Sequence, residues 1–266
     1  MNKQEILALL RDKNLDFDVV YLDSVDSTNN FAKEYNSKNN KNNLLVAAKK
    51  QTDGRGRYGR GFDSPDGKGL YFTLKINTSG REPVFFPLIA AAAVSRAVDL
   101  SCGVRLNIKW PNDLLYLPPS TSLTPPSERE AGGYKKLCGI LTEASASYVI
   151  VGIGLNINNN ITDFPEKIKN TASSLKIISG IEYSSRDFTD ILCGIINEFM
   201  RLMHVSGEEL LEEYKKRLLL GLDITFSQDG SIFKGKAAGI NQNGNLIAKL
   251  ETGEEIIIQS GEIGIL

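Results

Sequence analysis

Histidine and cysteine are scarce in this sequence, and their scarcity excludes several kinds of site. With a single histidine, His204, among 266 residues, an HExxH zinc site is impossible and a Ser-His-Asp triad could use only that residue. The three cysteines, Cys102, Cys138 and Cys193, are far apart and form no CxxC pair. A disulfide framework or a zinc knuckle is therefore not expected, and we predict that the cysteines are small buried hydrophobic residues.

The sequence also lacks an excess of either charge and lacks a long hydrophobic run. Lys and Arg number 31 and Asp and Glu 32, which does not favour a nucleic acid or an anionic membrane as the main partner. The longest apolar stretch, 84–94, is interrupted by Pro87 and is much shorter than the roughly 20 residues of a membrane-spanning helix. Residues 1–13 lack the apolar region of a secretory signal. We therefore predict a cytoplasmic protein with no membrane partner.

What the sequence does contain is the pattern of an α/β protein with a separate β unit. A hydrophobic content of 41% in a chain of this length predicts a large core, often divided between two domains. The apolar periodicity predicts helices near residues 3–12, 28–35, 86–100, 187–204 and 208–220. It predicts strands near 19–22, 44–48, 70–76 and 104–110, and an antiparallel hairpin from 137–141 and 148–157. Short strands separated by turns after Gly221 predict a small all-β unit, so the fold class is α/β (α+β) with domains 1–221 and 222–266.

Residues 52–61, here called the Gly/Arg loop, alternate glycine with Arg55, Arg57 and Arg60. Glycine lets backbone amides approach an anion closely, and the forked donors of arginine match carboxylate or phosphate oxygens. The pattern favours an anion-binding loop. The alternatives are a solvated surface loop or an RG-rich patch that contacts RNA.

Two nucleotide motifs are excluded for this loop. Gly54, Gly56 and Gly59 formally match the GxGxxG dinucleotide fingerprint. The following residues, 62–69, contain aspartate, proline and further glycine, so no helix begins where a pyrophosphate would need one. A Walker loop is excluded because no GK[ST] follows.

Three further features lie at the ends or in the middle of predicted strands. KWPND at 109–113 combines a cation, an aromatic ring, a rigid turn and two polar side chains, which fits either a ligand site or a plain strand end. Lys136 begins the next apolar strand, where lysine is usually solvated. Gly139, Gly152 and Gly154 weaken a sheet unless something approaches the backbone closely, so they suggest a ligand resting across the hairpin.

Five segments, taken together, resemble the biotin protein ligases. They are DSTN at 26–29, QTDGRGRYGR at 51–60, KWPND at 109–113, KKLCGIL at 135–141 and GIGLNI at 152–157, in the order and approximate spacing of that family. The resemblance extends from about Tyr21 to the C-terminal β unit. Lipoate ligases share the architecture but look different in the Gly/Arg loop and lack KWPND. The resemblance implies a mixed-sheet catalytic domain of the class II synthetase type, followed by a small SH3-like β-barrel.

The resemblance further implies an ATP-dependent, AMP-forming ligase. Such an enzyme uses ATP and Mg²⁺ to convert biotin to biotinyl-5'-AMP, and then transfers the biotin to a lysine of a biotin carboxyl carrier protein of a carboxylase. The partners would be that carrier, biotin and ATP, and the protein would be a monomer or a homodimer. Two alternatives remain open at this point. One is a lipoate or octanoate ligase or transferase of the same fold, and the other is a non-enzymatic RNA-binding protein that uses the Gly/Arg loop.

Roles for individual residues follow from the same resemblance. The biotin-binding residues would be Ser27, Thr28, Asn29, Gln51, Gly54, Arg55, Gly56, Arg57, Lys136, Gly139 and Gly154. The ATP-binding residues would be Arg57, Phe62, Lys109, Asn112, Lys136 and Asn156. Arg55, Lys136 and Asp113 would be catalytic: the two cations neutralise the joining anions, and Asp113 accepts the proton of the carrier lysine or orients its amine. No residue is assigned to a metal.

The sequence departs from the usual pattern of the family in four ways. Phe62 stands where many relatives have a tryptophan over the adenine, which preserves stacking with less area. Segment 117–134, rich in Pro, Ser and Gly, predicts a mobile loop longer than the usual connection. No DNA-binding domain precedes Tyr21, so repressor activity and a DNA partner are not expected. Leu266 ends the chain without the basic residue of some relatives, which argues against an ATP contact from the C-terminal unit.

Overall fold

The centre of the protein is a seven-stranded mixed sheet. The computed structural model describes residues 1–35, 43–118, 133–145, 147–228 and 230–266, so most of the predicted 117–134 loop lies outside the described residues. The strands of this sheet are β1 (Phe17–Val25), β2 (Asn43–Gln51), β3 (Gly69–Asn77), β4 (Asn107–Lys109), β5 (Asp113–Tyr116), β6 (Lys135–Ala144) and β7 (Tyr148–Asn156). Their order is β1-β2-β3-β7-β6-β5-β4. Only β1 and β2 among these pairs are parallel, which confirms the mixed α/β class.

Helices cover both faces of this sheet. They are α1 (Lys3–Asp12), α2 (Thr28–Glu34), α3 (Phe85–Cys102), α4 (Leu175–Ser179), α5 (Ser185–Met203) and α6 (Gly207–Lys215). The alternation of β2 separates the two cores: Leu45 and Ala47 pack with α3 and α5, whereas Leu44 and Val46 pack with Ala32 of α2. The α2 face is the one that carries the site described below.

The helix α3 is apolar and buried over most of its length. It ends at Gly103, whose φ of 64° is the left-handed conformation that glycine adopts at helix ends. Among the described residues it is the helix long and apolar enough to cross a membrane, but 61% of it is buried inside the fold. Its packing against α5 and the sheet is that of a core helix.

The C-terminal residues form the predicted all-β unit. It is a five-stranded antiparallel sheet of β8 (Asp223–Gln228), β9 (Ser231–Ile240), β10 (Leu246–Lys249), β11 (Glu255–Ile258) and β12 (Ile263–Ile265), in the order β11-β10-β9-β8-β12. The prediction of short strands after Gly221 is therefore confirmed. A hydrogen bond of 2.9 Å from Trp110 Nε1 to the Gly244 carbonyl joins this sheet to the KWPND segment. The domain boundary near Gly221 stays a prediction.

Two predicted elements were too long. The strand predicted at 104–110 is reduced to β4, and the helix predicted at 208–220 ends at Lys215. The reason is tertiary: Ile108 donates to the Arg217 carbonyl and accepts from the Leu219 amide, at 2.7 and 2.9 Å. These bonds draw residues 217–219 away from the helix and alongside β4.

The predicted burial of the cysteines is confirmed for two of the three. All three are free thiols; Cys138 and Cys193 are buried, whereas Cys102 at the end of α3 is partly exposed. Burial raises the pKa of the Cys193 thiol to about 12, which makes it an inert packing residue.

Candidate functional site

A cavity of about 260 Å³ lies on the α2 face of the large sheet. The Gly/Arg loop and Glu262 of the C-terminal unit form part of its wall. Of the residues predicted for the site, those that line this cavity are Ser27, Thr28, Asn29, Gln51, Arg55, Gly56, Arg57, Phe62, Asn112, Asp113, Lys136, Gly139, Gly154 and Asn156. Gly54 and Lys109 are not among its lining residues. Arg55 and Lys136, 81 positions apart in sequence, therefore face one shared space.

A hydrogen-bond network links three lining residues of the cavity, Thr28, Asn29 and Gln51, to the buried Thr73. Gln51 Oε1 accepts from the backbone amide of Thr28 at 2.9 Å and from its hydroxyl at 3.1 Å. The Thr73 hydroxyl lies 2.8 Å from Thr28 Oγ1 and 2.6 Å from Asn29 Oδ1. Ser27 occupies the N-cap position of α2, yet its side chain makes no capping bond to the described backbone. These groups form a rigid polar surface that can donate to and accept from a ligand.

Thr73 is a residue of this network that the sequence reasoning missed, and it supports a stability prediction. It is fully buried in β3, and a hydroxyl within an apolar strand was the only available signal. Thr73→Val preserves the shape but leaves Asn29 Oδ1 without this donor, so we expect the free energy of unfolding to fall by about 1–3 kcal/mol. Urea denaturation measures this loss, with exposed Thr252→Val as the control. Equal stability of the two variants would show that the network contributes nothing to folding.

The strand glycines make room for side chains of the protein itself. A Cβ on Gly152 would lie 2.1 Å from Asn29 Oδ1, and a Cβ on Gly154 would lie 2.5 Å from the Phe62 ring. Gly139, directly opposite Gly154 in the β6–β7 pair, would place its Cβ 3.3 Å from the same ring. Side chains therefore approach the backbone closely at these glycines, as the sequence predicted. Asn29 is the close neighbour of Gly152, and Phe62 is the close neighbour of Gly139 and Gly154.

Backbone hydrogen bonds hold the Gly/Arg loop as a narrow hairpin. The Gly56 amide donates to the Arg60 carbonyl and the Phe62 amide donates to the Gly54 carbonyl, both at 2.7 Å. A Cβ on Gly54 would lie 2.3 Å from the Phe62 carbonyl oxygen, so only glycine fits at this base position. The backbone that carries the arginine side chains is therefore held in one conformation by these hydrogen bonds.

The arginines of the loop differ in how firmly they are held. Arg57 donates to Asn112 Oδ1 at 3.2 Å and to the Gly261 carbonyl at 2.8 Å. Arg55 is half-exposed, and its ion pair with Asp53 has a length of 3.4 Å. Arg57 is therefore oriented by its neighbours, whereas Arg55 is free to turn towards an anion.

Asp113 and Lys136 meet on the cavity wall. Their ion pair, Lys136 Nζ to Asp113 Oδ1, is 2.7 Å long, and Asp113 is the less exposed partner. Lys109 is the cross-strand neighbour of Asp113 in the β4–β5 pair. Burial lowers the pKa of Lys109, while the nearby Asp113 carboxylate acts in the opposite direction. The Asp113 carboxylate, at the end of the KWPND segment, therefore has two lysine side chains near it, Lys136 and Lys109.

The cavity can therefore hold an elongated ligand with different ends. Its lining combines amide and hydroxyl groups, the apolar side chains Ile140, Leu141 and Ile153, and the cations Arg55, Arg57 and Lys136. Asp63, which the sequence reasoning did not single out, also lines the cavity, and its pKa is raised by burial and by nearby Asp163. Glu262 was missed because nothing in the local sequence near residue 262 indicates contact with a loop two hundred residues earlier.

Comparison with known families gives two matches along the chain. Residues 21–160 match the Biotin/lipoate A/B protein ligase family, and residues 220–265 match the Biotin protein ligase C terminal domain. The first match contains every residue predicted for the site.

Individual relatives are similar over most of their length. The chain is 31% identical to the bifunctional ligase/repressor BirA of Bacillus subtilis, covering 96% of this chain and 76% of the relative. It is 26% identical to the biotin--[acetyl-CoA-carboxylase] ligase of Mycobacterium tuberculosis, covering 83% and 78%. Among solved structures, the biotin protein ligase from Aquifex aeolicus in complex with biotin and ATP is similar with a TM-score of 0.75 at 28% identity, covering 94% of this chain and 98% of the other.

Proposed function

Because the chain belongs to the Biotin/lipoate A/B protein ligase family, as a biotin protein ligase, we propose that it works in two steps. It first activates biotin with MgATP to biotinyl-5'-AMP, and then transfers the biotin to the ε-amine of one lysine of a biotin carboxyl carrier protein. The observation that carries the proposal is the convergence of the Gly/Arg loop, Lys136 and the Thr28–Gln51 network on a single cavity.

The shape of biotin matches the polarity of this cavity. The ureido ring of biotin carries amide donors and an acceptor, which are the partners that Asn29, Thr28 and Gln51 can satisfy. The sulfur ring and the valerate chain are apolar and suit the Ile140–Leu141 wall. The carboxylate would then point towards Arg55 and Lys136.

In the first step the biotin carboxylate oxygen attacks the α-phosphorus of ATP, and pyrophosphate leaves. The two reactants repel each other, so cations must neutralise both while holding the attacking oxygen in line with the leaving group. Arg55, Arg57 and Lys136 can supply that charge. Lys136 would exchange its bond to Asp113 for one to the ligand, which leaves the Asp113 carboxylate available for the second step.

In the second step the amine of the carrier lysine attacks the acyl carbon, an amide bond forms and AMP leaves. The amine must be neutral and correctly oriented, and its excess proton must go to an acceptor. Asp113, at the cavity wall beside Asn112, is the carboxylate proposed for that role. Phe62 and Asn156 are proposed for the adenine, and Asn112 for another part of the nucleotide. Lys109, also predicted to bind ATP, does not line the cavity and stays a prediction.

The acidic residues of the cavity fit a magnesium ion that arrives with ATP. Mg²⁺ is usually bound through phosphate oxygens and one or two carboxylates. Asp113 and Glu262 are already paired with Lys136 and Arg60. Asp63 forms no ion pair within the described part of the chain and is the carboxylate that would hold the ion. When bound, Mg²⁺ would offset negative charge on the triphosphate.

An acyl-transfer assay tests the proposal. The protein is incubated with biotin, MgATP and a biotin carboxyl carrier domain, and the carrier is examined for a labelled lysine by mass spectrometry. We expect biotinylation that requires ATP and releases pyrophosphate. Equimolar lipoate or octanoate should compete poorly, because these acids leave the ureido-binding groups unpaired. Absence of labelled carrier under every condition would contradict the proposal, and preferential transfer of lipoate or octanoate would favour the alternative transferase of the same fold.

A further inference from the structure

The tip of the Gly/Arg loop is bonded to the C-terminal unit. Arg60 and Glu262 form a bidentate pair, with Nη1 donating to Oε1 at 2.9 Å and Nη2 lying 2.6 Å from Oε2. Next to this pair, Arg57 donates to the Gly261 carbonyl at 2.8 Å. Gly261 and Glu262, here called the loop anchor, therefore hold both sides of the tip. Two parallel bonds between a guanidinium and a carboxylate fix the orientation of the two groups as well as the distance between them.

The loop anchor is well placed to control the position of the loop relative to the cavity. Glu262 is itself a lining residue of the cavity. The C-terminal sheet is also bonded to the KWPND segment at a separate point, through the hydrogen bond from Trp110 Nε1 to the Gly244 carbonyl. Because the sheet is fixed elsewhere, a contact from Glu262 can restrain the loop.

We propose that Glu262 is a positioning residue that keeps the Gly/Arg loop over the cavity between the two steps of the reaction. This inference rests on the proposed function, because it concerns the lifetime of the acyl-adenylate. That mixed anhydride is destroyed when a water oxygen attacks the acyl carbon. The bond from the acyl carbon to the phosphate oxygen then breaks, biotin and AMP are released, and a proton passes to solvent. A loop held closed excludes that water.

The rate at which biotinyl-5'-AMP is hydrolysed distinguishes a positioning role of Glu262 from a purely structural role. In Glu262→Gln the charge is lost while the side-chain length is kept, so the loop should open more often. Without a carrier, we expect AMP release from preformed biotinyl-5'-AMP to increase about fivefold, which is the effect of losing one partly exposed ion pair. With a carrier present, fewer biotins should be transferred per ATP consumed. Asp223→Asn is the matched control, because Asp223 forms a single ion pair of 2.8 Å with Lys236 in the same sheet and lies outside the cavity lining.

Exchanging the charges of Glu262 and Arg60 tests whether these two residues act as a pair. Arg60→Glu and Glu262→Arg should each increase hydrolysis of the intermediate, and the double variant should recover most of the protection. Wild-type hydrolysis in Glu262→Gln, or additive losses in the double variant, would overturn the role of the loop anchor. If the unchanged protein forms no biotinyl-5'-AMP, the proposed function itself fails. If it forms and transfers the intermediate normally while the Glu262 variants behave identically, only this inference fails.

Discussion

Lys136→Ala is expected to slow formation of the acyl-adenylate by about 10²- to 10³-fold, the cost of removing one charged group that stabilises a transition state. Lys136, the second residue of strand β6, lines the cavity and has a single ion-pair partner, Asp113, in the described chain. Among the described residues, Lys136 is the one lysine that lines the cavity where the carboxylate and the triphosphate are proposed to meet. Biotin-dependent exchange of labelled pyrophosphate into ATP measures this step directly.

The neighbouring lysine provides the control for this prediction. Lys135 is also at the start of β6, but its ammonium donates to the Asn170 carbonyl and does not line the cavity. Lys135→Ala should therefore keep nearly full activity. Circular dichroism and the urea midpoint test whether Lys136→Ala is folded, which we expect because the Lys136 side chain is 39% exposed. A folded Lys136→Ala variant with the wild-type exchange rate would remove Lys136 from the mechanism.

Gly152→Ala is expected to impair both folding and biotin binding. The added Cβ would lie 2.1 Å from Asn29 Oδ1, so the Asn29 side chain must move away from Thr73 and Glu143. Overpacking of a well-packed interior costs about 1–3 kcal/mol. Loss of the polar surface should also raise the KM for biotin more than about tenfold, because buried polar groups of the ligand are left unpaired. Urea denaturation and steady-state kinetics measure the two effects.

A second substitution distinguishes the clash from the lost hydrogen bonds. In Gly152→Ala with Asn29→Ala the obstructing side chain is absent, so the part of the stability loss that comes from the clash should be recovered while the KM for biotin stays high. Gly239→Ala is the control for introducing alanine into a strand, since no described atom lies within 4 Å of a Cβ at that position. Recovery of both properties in the double variant would mean that Asn29 does not contact biotin.

The pairing of the strands brings together site residues that lie far apart in the sequence. The register of β6 with β7 places Gly139 opposite Gly154, and the register of β5 with β6 places Asp113 opposite Gly139. The two glycines and the carboxylate therefore form a row across three strands. Phe62, the residue that follows the Gly/Arg loop, packs its ring on this row and also makes an edge contact with Tyr71, at 6.4 Å between ring centroids.

Several properties of this protein could be predicted from the sequence alone. Helical and strand periodicity is local, so it predicted α1, α3, the β6–β7 hairpin and most strands of the C-terminal unit. Glycine and arginine alternate within ten residues, so the prediction that residues 52–61 bind an anion also rested on local sequence. The resemblance to biotin protein ligases rested on such short segments.

Other properties were decided only by tertiary structure. The pairing of Lys136 with Asp113, the packing of Asn29 against Gly152 and the contact of Glu262 with Arg60 all join residues that are distant in sequence. The end of α6 likewise depended on bonds from residues 217–219 to Ile108. Sequence periodicity reports which face of one element is buried, but it carries no information on the register between elements. These contacts are set by register and by the packing of the two sheets, and so they became visible only when the whole chain was folded.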